Sequence, residues 1–150
     1  LTQLYYNQTA GFSRLLEART LEELHDMLST HATPYWESHY TFGCPSHKNA
    51  KALTAGSLNL IAINTVVPLL YAYGQTHGND KYCERALQFL EPIKAENNYI
   101  TRQWAGCGIK VDNASDSQAL IQLKKEYCDR KYCLHCRFGY EFLKRKNTSE

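Results

Sequence analysis

Apolar positions in this chain recur at intervals of three and four, and the longest such run, Ser57 to Gln75, predicts the central element. Leu58, Ile61, Ala62, Thr65, Leu69 and Ala72 fall on one helical face, and Leu60, Ile63, Val66, Val67 and Leu70 widen the apolar surface round most of the cylinder. A helix apolar on nearly every side belongs in the middle of a bundle. Pro68 should kink it by removing one backbone bond, and Gly74 and Gly78 supply stop signals.

The flanking segments read the same way. Leu1 to Tyr6 resembles the end of a helix. Thr20-Leu21-Glu22-Glu23 is a capping box that opens a helix with Leu21, Leu24, Met27 and Leu28 on one face. Thr33-Pro34 starts a short helix carrying Tyr35, Trp36, His39 and Tyr40; Phe42 to His47 is a turn, and Lys48 to Thr54 a polar connection. Asp80 begins a helix with Tyr82, Ala86, Phe89 and Leu90 inward, ended by Pro92. Asn97 to Trp104 forms another before the turn Gly106-Cys107-Gly108. Ser115-Asp116-Ser117-Gln118 is a further capping box, leading into Leu120, Ile121, Leu123 and Tyr127 at helical spacing, a short connection and a basic last helix. No segment alternates convincingly. The expected fold is all-α: one domain over residues 1–150, with six or seven helices bundled round the buried Ser57–Gln75 helix.

Composition changes this picture little, and 43% apolar content over 150 residues suits one globular domain. Charge is more informative by place than in total. From Lys124 to Glu150 eight Lys or Arg face four Asp or Glu, a local excess of four positive charges within a chain of net +2. No uninterrupted apolar run approaches the roughly 18 residues of a membrane span. Leu58 to Tyr73 comes nearest but contains Asn59, Asn64, Thr65 and Pro68, so no membrane partner is expected. A start at Leu1 without methionine suggests a trimmed protein or a fragment of a larger one, and a fragment is the preferred expectation. Asn7, Asn113 and Asn147 fit the glycosylation pattern, but the pattern is short, and six cysteines in 150 residues do not resemble a secreted scaffold. A cytoplasmic protein with reduced or metal-bound thiols is expected.

The chemistry concentrates at Cys128-x4-Cys133-x2-Cys136. Two cysteines two residues apart can face one ion, and zinc needs four soft or imidazole ligands. Cys107, in its glycine-flanked turn, is the first choice for the fourth, with His135, Cys44 and His47 as alternatives. Helix-start amides and the neighbouring Arg130, Lys131 and Arg137 should lower the thiol pKa values. The spacing is also partly similar to the iron–sulfur loop of endonuclease-III-type DNA glycosylases, with a shorter first interval and Phe142 where that loop has its last cysteine. Zinc is therefore expected ahead of an iron–sulfur cluster, and packed reduced cysteines are the bland alternative.

Arg130, Lys131, Arg137, Lys144 and Arg145 suit a phosphate backbone, and Tyr132, Phe138, Tyr140 and Phe142 interleave with them as stacking surfaces would. The plainer expectation is a solvated basic face whose aromatics pack inward. Trp36, Glu37, His39 and His47 carry no metalloprotease helix motif; Trp36 and Tyr40 are expected to anchor their helix, with His39 hydrogen-bonded at the edge. Asp112 and Asp116 are better explained by capping than by cation binding.

Several phrases resemble a bacterial family of uncharacterised proteins, the domain of unknown function family 2851. They are Tyr35-Trp36 with His39-Tyr40 and Phe42-Gly43, Asn64-Thr65-Val66 with Pro68, Tyr71 to Gly74, Asp116 to Lys124, and Tyr127-Cys128 with Cys133 and Cys136. The resemblance implies a longer parent protein whose missing amino-terminal part is similar to the restriction-endonuclease-like fold and is a partner of this chain. It supplies no activity. The leading expectation is a helical accessory domain with a cysteine site that helps a nuclease-like protein bind nucleic acid, without enzymatic activity of its own. The competing expectations are a purely structural or interaction domain with reduced cysteines, or a hydrolase or redox enzyme using Cys128 or Cys133.

Overall fold

The computed structural model describes residues 11–146, leaving aside the side chains of Phe142, Leu143, Arg145 and Lys146. The helix end expected at Leu1 to Tyr6 lies outside the described residues. Eight helices and one small hairpin make the chain mostly α-helical among those residues. It falls into two compact units, Leu1–Pro92 and Ile93–Glu150.

The first unit opens with α1 (Phe12–Glu17) and α2 (Leu21–Leu28). Thr20 Oγ1 caps α2 by accepting from Glu23 N–H at 3.1 Å, while Glu23 Oε2 reaches past the cap to accept from Arg19 N–H at 2.7 Å. Leu24 and Leu28 are buried. Helix α3 (Pro34–Glu37) leads into a hairpin, β1 (His39–Thr41) and β2 (Cys44–Pro45), turned at Gly43 with φ +72°. Strands of two or three residues leave no alternation to detect, which is why only the turn was expected here.

The long helix α4 runs Ala55–Thr76, capped by Thr54 Oγ1, which accepts from Ser57 N–H at 3.2 Å. It is α-helical over Ala55–Ile61 and Val67–Thr76, with a π-turn at Ala62–Val66 between them. The irregularity expected at Pro68 takes this form: Val67 N–H reaches back five residues to Ala62 O, and Asn64 Nδ2 donates to Leu60 O at 2.9 Å. Leu58, Ala62, Ile63, Val66, Val67 and Leu70 are buried, but Leu60, Leu69 and Tyr71 are exposed, so the apolar surface is not covered all round. By length and composition α4 could cross a membrane, although the polar interruptions argued otherwise; its polar residues are too sparse to offset the rest, and a third of its most apolar window is buried.

Helix α5 (Asp80–Gln88) packs along the second half of α4. Gly74 permits the approach, since a Cβ there would lie 2.7 Å from Cys83 Sγ and 3.0 Å from Asn79 O. Tyr73 lies edge-on to Tyr82 and Phe12, at 5.1 and 5.4 Å between ring centres. Ala86, Phe89 and Leu90 are buried as expected, joined by Cys83, while Tyr82 is half-buried.

The second unit is built on α6 (Tyr99–Gly106), α7 (Ala114–Gln122, continued by a π segment at Leu123–Cys128) and α8 (Arg137–Lys146). Asn98 Oδ1 accepts from Ile100 and Thr101 N–H at 3.0 and 3.1 Å, and Thr101 Oγ1 accepts in return from Asn98 N–H. Asn98→Ala is therefore expected to cost about 1 kcal/mol, read as a lower urea midpoint at unchanged slope. No measurable change would mean the box is dispensable.

The cap of α7 is Asn113, not Ser115. Asn113 Oδ1 accepts from Asp116 N–H at 2.9 Å, and Ala114 N–H donates to Ile93 O at 2.8 Å, which starts the helix early. Ser117 is buried and donates to Ala114 O at 3.0 Å, and Gln118 Nε2 donates to Glu96 Oε1 at 2.8 Å.

Candidate metal centre

The sequence sets up a tight reversal where α7 ends. Asp129 N–H reaches Lys124 O and Tyr132 N–H reaches Tyr127 O, each at 2.9 Å and five residues back. Between them Lys131 adopts φ +56°, a left-handed conformation that lets the chain turn. Cys136 N–H then donates to Cys133 O at 3.3 Å, and Tyr140 N–H donates to Cys136 O at 2.8 Å as α8 begins. The helix end, connection and second helix start expected from the spacing are all present. Gly139 closes the turn: a Cβ on it would stand 2.4 Å from Cys133 O.

All six cysteines are free thiols; Cys128, Cys133 and Cys107 are exposed, and Cys136 is buried. The Cys128 thiol is pushed above its ordinary pKa, first by partial loss of solvent around an otherwise exposed side chain, then by the charges of Cys136 and Cys133. Lys124 opposes this and Asp129 adds to it. Cys133 and Cys136 therefore each bear electrostatically on Cys128. The net lowering expected from nearby cations is not found at Cys128, where loss of solvent and the other two cysteines outweigh Lys124; Arg130 pairs with Glu126 at 2.9 Å and Arg137 with Glu141 at 3.3 Å.

Cys107 ends α6, and Gly108 follows at φ +84°. Together with Gln103, Trp104, Lys124 and Cys128 it lines a cavity of about 360 Å³. Trp104 Nε1 donates to Leu120 O at 3.3 Å, which ties α6 to α7 beside the cavity. Cys107 and Cys128 thus share one space. Among the described residues no three His, Cys, Asp or Glu side chains are gathered into a ready cation-binding group. Of the alternative fourth ligands, His135 lies edge-on to Tyr132 at 6.1 Å, while Cys44 and His47 belong to the first unit.

The basic residues are partly engaged. Arg130 and Arg137 have the carboxylate partners just given, Lys131 is exposed at the turn, Lys144 is exposed on α8, and the side chain of Arg145 lies outside the described residues. Tyr132, Phe138 and Tyr140 do not pack inward, and the side chain of Phe142 lies outside the described residues. Phe138 is 73% exposed and Tyr132 and Tyr140 are each 51% exposed, with Leu134 at 73%. Helical spacing identified a face here, but none of the other described residues covers it.

Elsewhere His39, Glu37 and Asp116 have structural partners. His39 stacks on Tyr35 at 4.1 Å between ring centres, and its Nδ1 lies 2.9 Å from Tyr35 O. Glu37 pairs with Lys48 at 3.4 Å. Tyr40 does not anchor its segment in the core; it is largely exposed, with Lys51 Nζ 3.4 Å from its ring centre. Asp116 Oδ2 accepts from Asp112 N–H at 3.0 Å, in keeping with capping.

Residues 1–99 match the family described as Protein of unknown function (DUF2851). The matched stretch includes Tyr35-Trp36, Phe42-Gly43 and Asn64-Thr65-Val66 and stops short of Cys107 and the three later cysteines. Comparisons with curated proteins and with solved structures give no match. With two-thirds of its length matched, this chain belongs to the DUF2851 family.

Proposed function

We propose that this chain is a helical accessory domain in which Cys107, Cys128, Cys133 and Cys136 hold a zinc ion. The ion braces a basic carboxy-terminal segment, Arg130, Lys131, Arg137, Lys144 and Arg145, that assists nucleic-acid binding by a larger nuclease-like protein in the cytoplasm. The supporting observation is that Cys128 feels the charges of Cys133 and Cys136 and shares a cavity with Cys107. Four thiolates suit tetrahedral zinc or an iron–sulfur cluster, and zinc is the simpler occupant because it asks only for ligands and geometry. Binding has to displace thiol protons and draw the sulfurs together, so it is coupled to local folding.

Elemental analysis and an absorption spectrum of protein purified without chelator test this directly. One zinc per chain is expected, lost on Cys133→Ser, with a melting temperature that falls on chelation. A colourless, metal-free protein with an unchanged melting temperature in chelator would overturn the metal and leave the cysteines as packing residues. The nucleic-acid part is tested separately: salt-dependent oligonucleotide binding is expected, reduced when Lys131 and Arg137 are reversed to Glu.

A further inference from the structure

We infer that the tip between Cys128 and Phe138 binds single-stranded nucleic acid by stacking unpaired bases on Tyr132 and Phe138. This deepens the nucleic-acid part of the proposed function and is independent of the metal.

The tip combines two properties. Tyr132, Leu134 and Phe138 are 51%, 73% and 73% exposed, an unusual concentration of large apolar side chains in seven residues. They are interleaved with Arg130, Lys131 and Arg137, within a segment whose Lys and Arg outnumber Asp and Glu by four. The pairs Arg130–Glu126 and Arg137–Glu141 organise the guanidinium groups without removing that excess. A polyanion is the complementary partner.

Exposed rings decide which polyanion. A duplex keeps its bases stacked inside and offers aromatic side chains little, whereas a single strand presents each base face. An anionic bilayer would accept a continuous apolar face. Tyr132, Leu134 and Phe138 are instead exposed among three cationic side chains, Arg130, Lys131 and Arg137, that are exposed as well. Three side chains among charges suit a strand whose phosphates and bases alternate.

The test is fluorescence anisotropy of the intact chain with labelled oligo(dT) and oligo(U) of about 12 nucleotides, a duplex of that length, and anionic vesicles. At least one single strand should bind tenfold or more tighter than the duplex. Tyr132→Leu and Phe138→Leu keep apolar bulk but remove the ring, and each should weaken binding roughly five- to hundredfold at an unchanged salt slope. Lys131→Glu should instead reduce the slope. Both side chains are exposed, so melting temperatures should stay near the parent's; Phe138→Trp should bind normally. Equal duplex affinity, indifference to both Leu variants, or vesicle binding alone would overturn the inference. Salt-dependent binding that ignores the rings defeats only the stacking, while no binding to any oligonucleotide defeats the nucleic-acid reading as well.

Discussion

Gly139→Ala is expected to dislodge the turn that carries Cys133 and Cys136. The added methyl would stand 2.4 Å from Cys133 O and 3.0 Å from Cys133 C and Cα, all backbone atoms with no rotamer to yield. Either α8 moves outward or the turn opens, at an overpacking cost of roughly 1–3 kcal/mol. The change is local, so its clearest sign is chemical. Cys136 is 7% exposed and should react slowly with a thiol reagent, becoming fast in the variant. If zinc is bound, its occupancy should fall with it. A variant with the parent's melting temperature and a still-protected Cys136 would show that the close approach matters little. Gly139→Ser gives a second reading of the same contact.

The largest loss of stability is expected from Phe89→Ala, roughly 3–5 kcal/mol. Phe89 is 1% exposed and heads the largest fully buried side chains, ahead of Leu24. Its removal combines lost transfer energy with a cavity lined by side chains that relax only in part. Domains carry about 5–15 kcal/mol in all, so the variant should be close to unfolding at ordinary temperatures. Phe89→Leu keeps most of the volume and should cost distinctly less. Urea denaturation of the two variants checks both the size and the order. A loss below about 1 kcal/mol for Ala would mean that the site collapses freely and that the burial contributes little.

Much of the helical layout was readable because periodicity and capping act locally. Thr20, Pro34 and the Gly78 stop each announce their element within a few residues, whereas Gly74 lies inside α4 and Thr54, expected in a connection, caps it. What escaped the sequence depended on distant partners. The α7 cap moved from Ser115 to Asn113 because Ala114 N–H bonds Ile93 O, twenty-one residues away in sequence, so no local rule could choose between two good caps. The hairpin at His39–Pro45 was too short to alternate. At the cysteines, spacing located the helix end, the connection and the next helix start, but the balance of charges at Cys128 did not follow from the neighbouring cations. Arg130 and Arg137 turned out to be engaged by Glu126 and Glu141, each one helical turn away. Exposure of Tyr132 and Phe138 was the least legible point, since a periodic face says nothing of what lies opposite it.

The π segment at the end of α7 bears on which length changes the chain can absorb. A turn closed five residues back holds one residue more than an α-turn needs. Deleting Lys125 can therefore be taken up by tightening Leu123–Cys128 into ordinary helix, leaving Cys128 on the side of the helix where it lines the cavity with Cys107. The same deletion placed among residues 118–122 has no slack to draw on, and swings Cys128 by about 100° round the axis, away from Cys107. Natural length variation in α7 should accordingly fall between Leu123 and Cys128, and be rare in the turn before it.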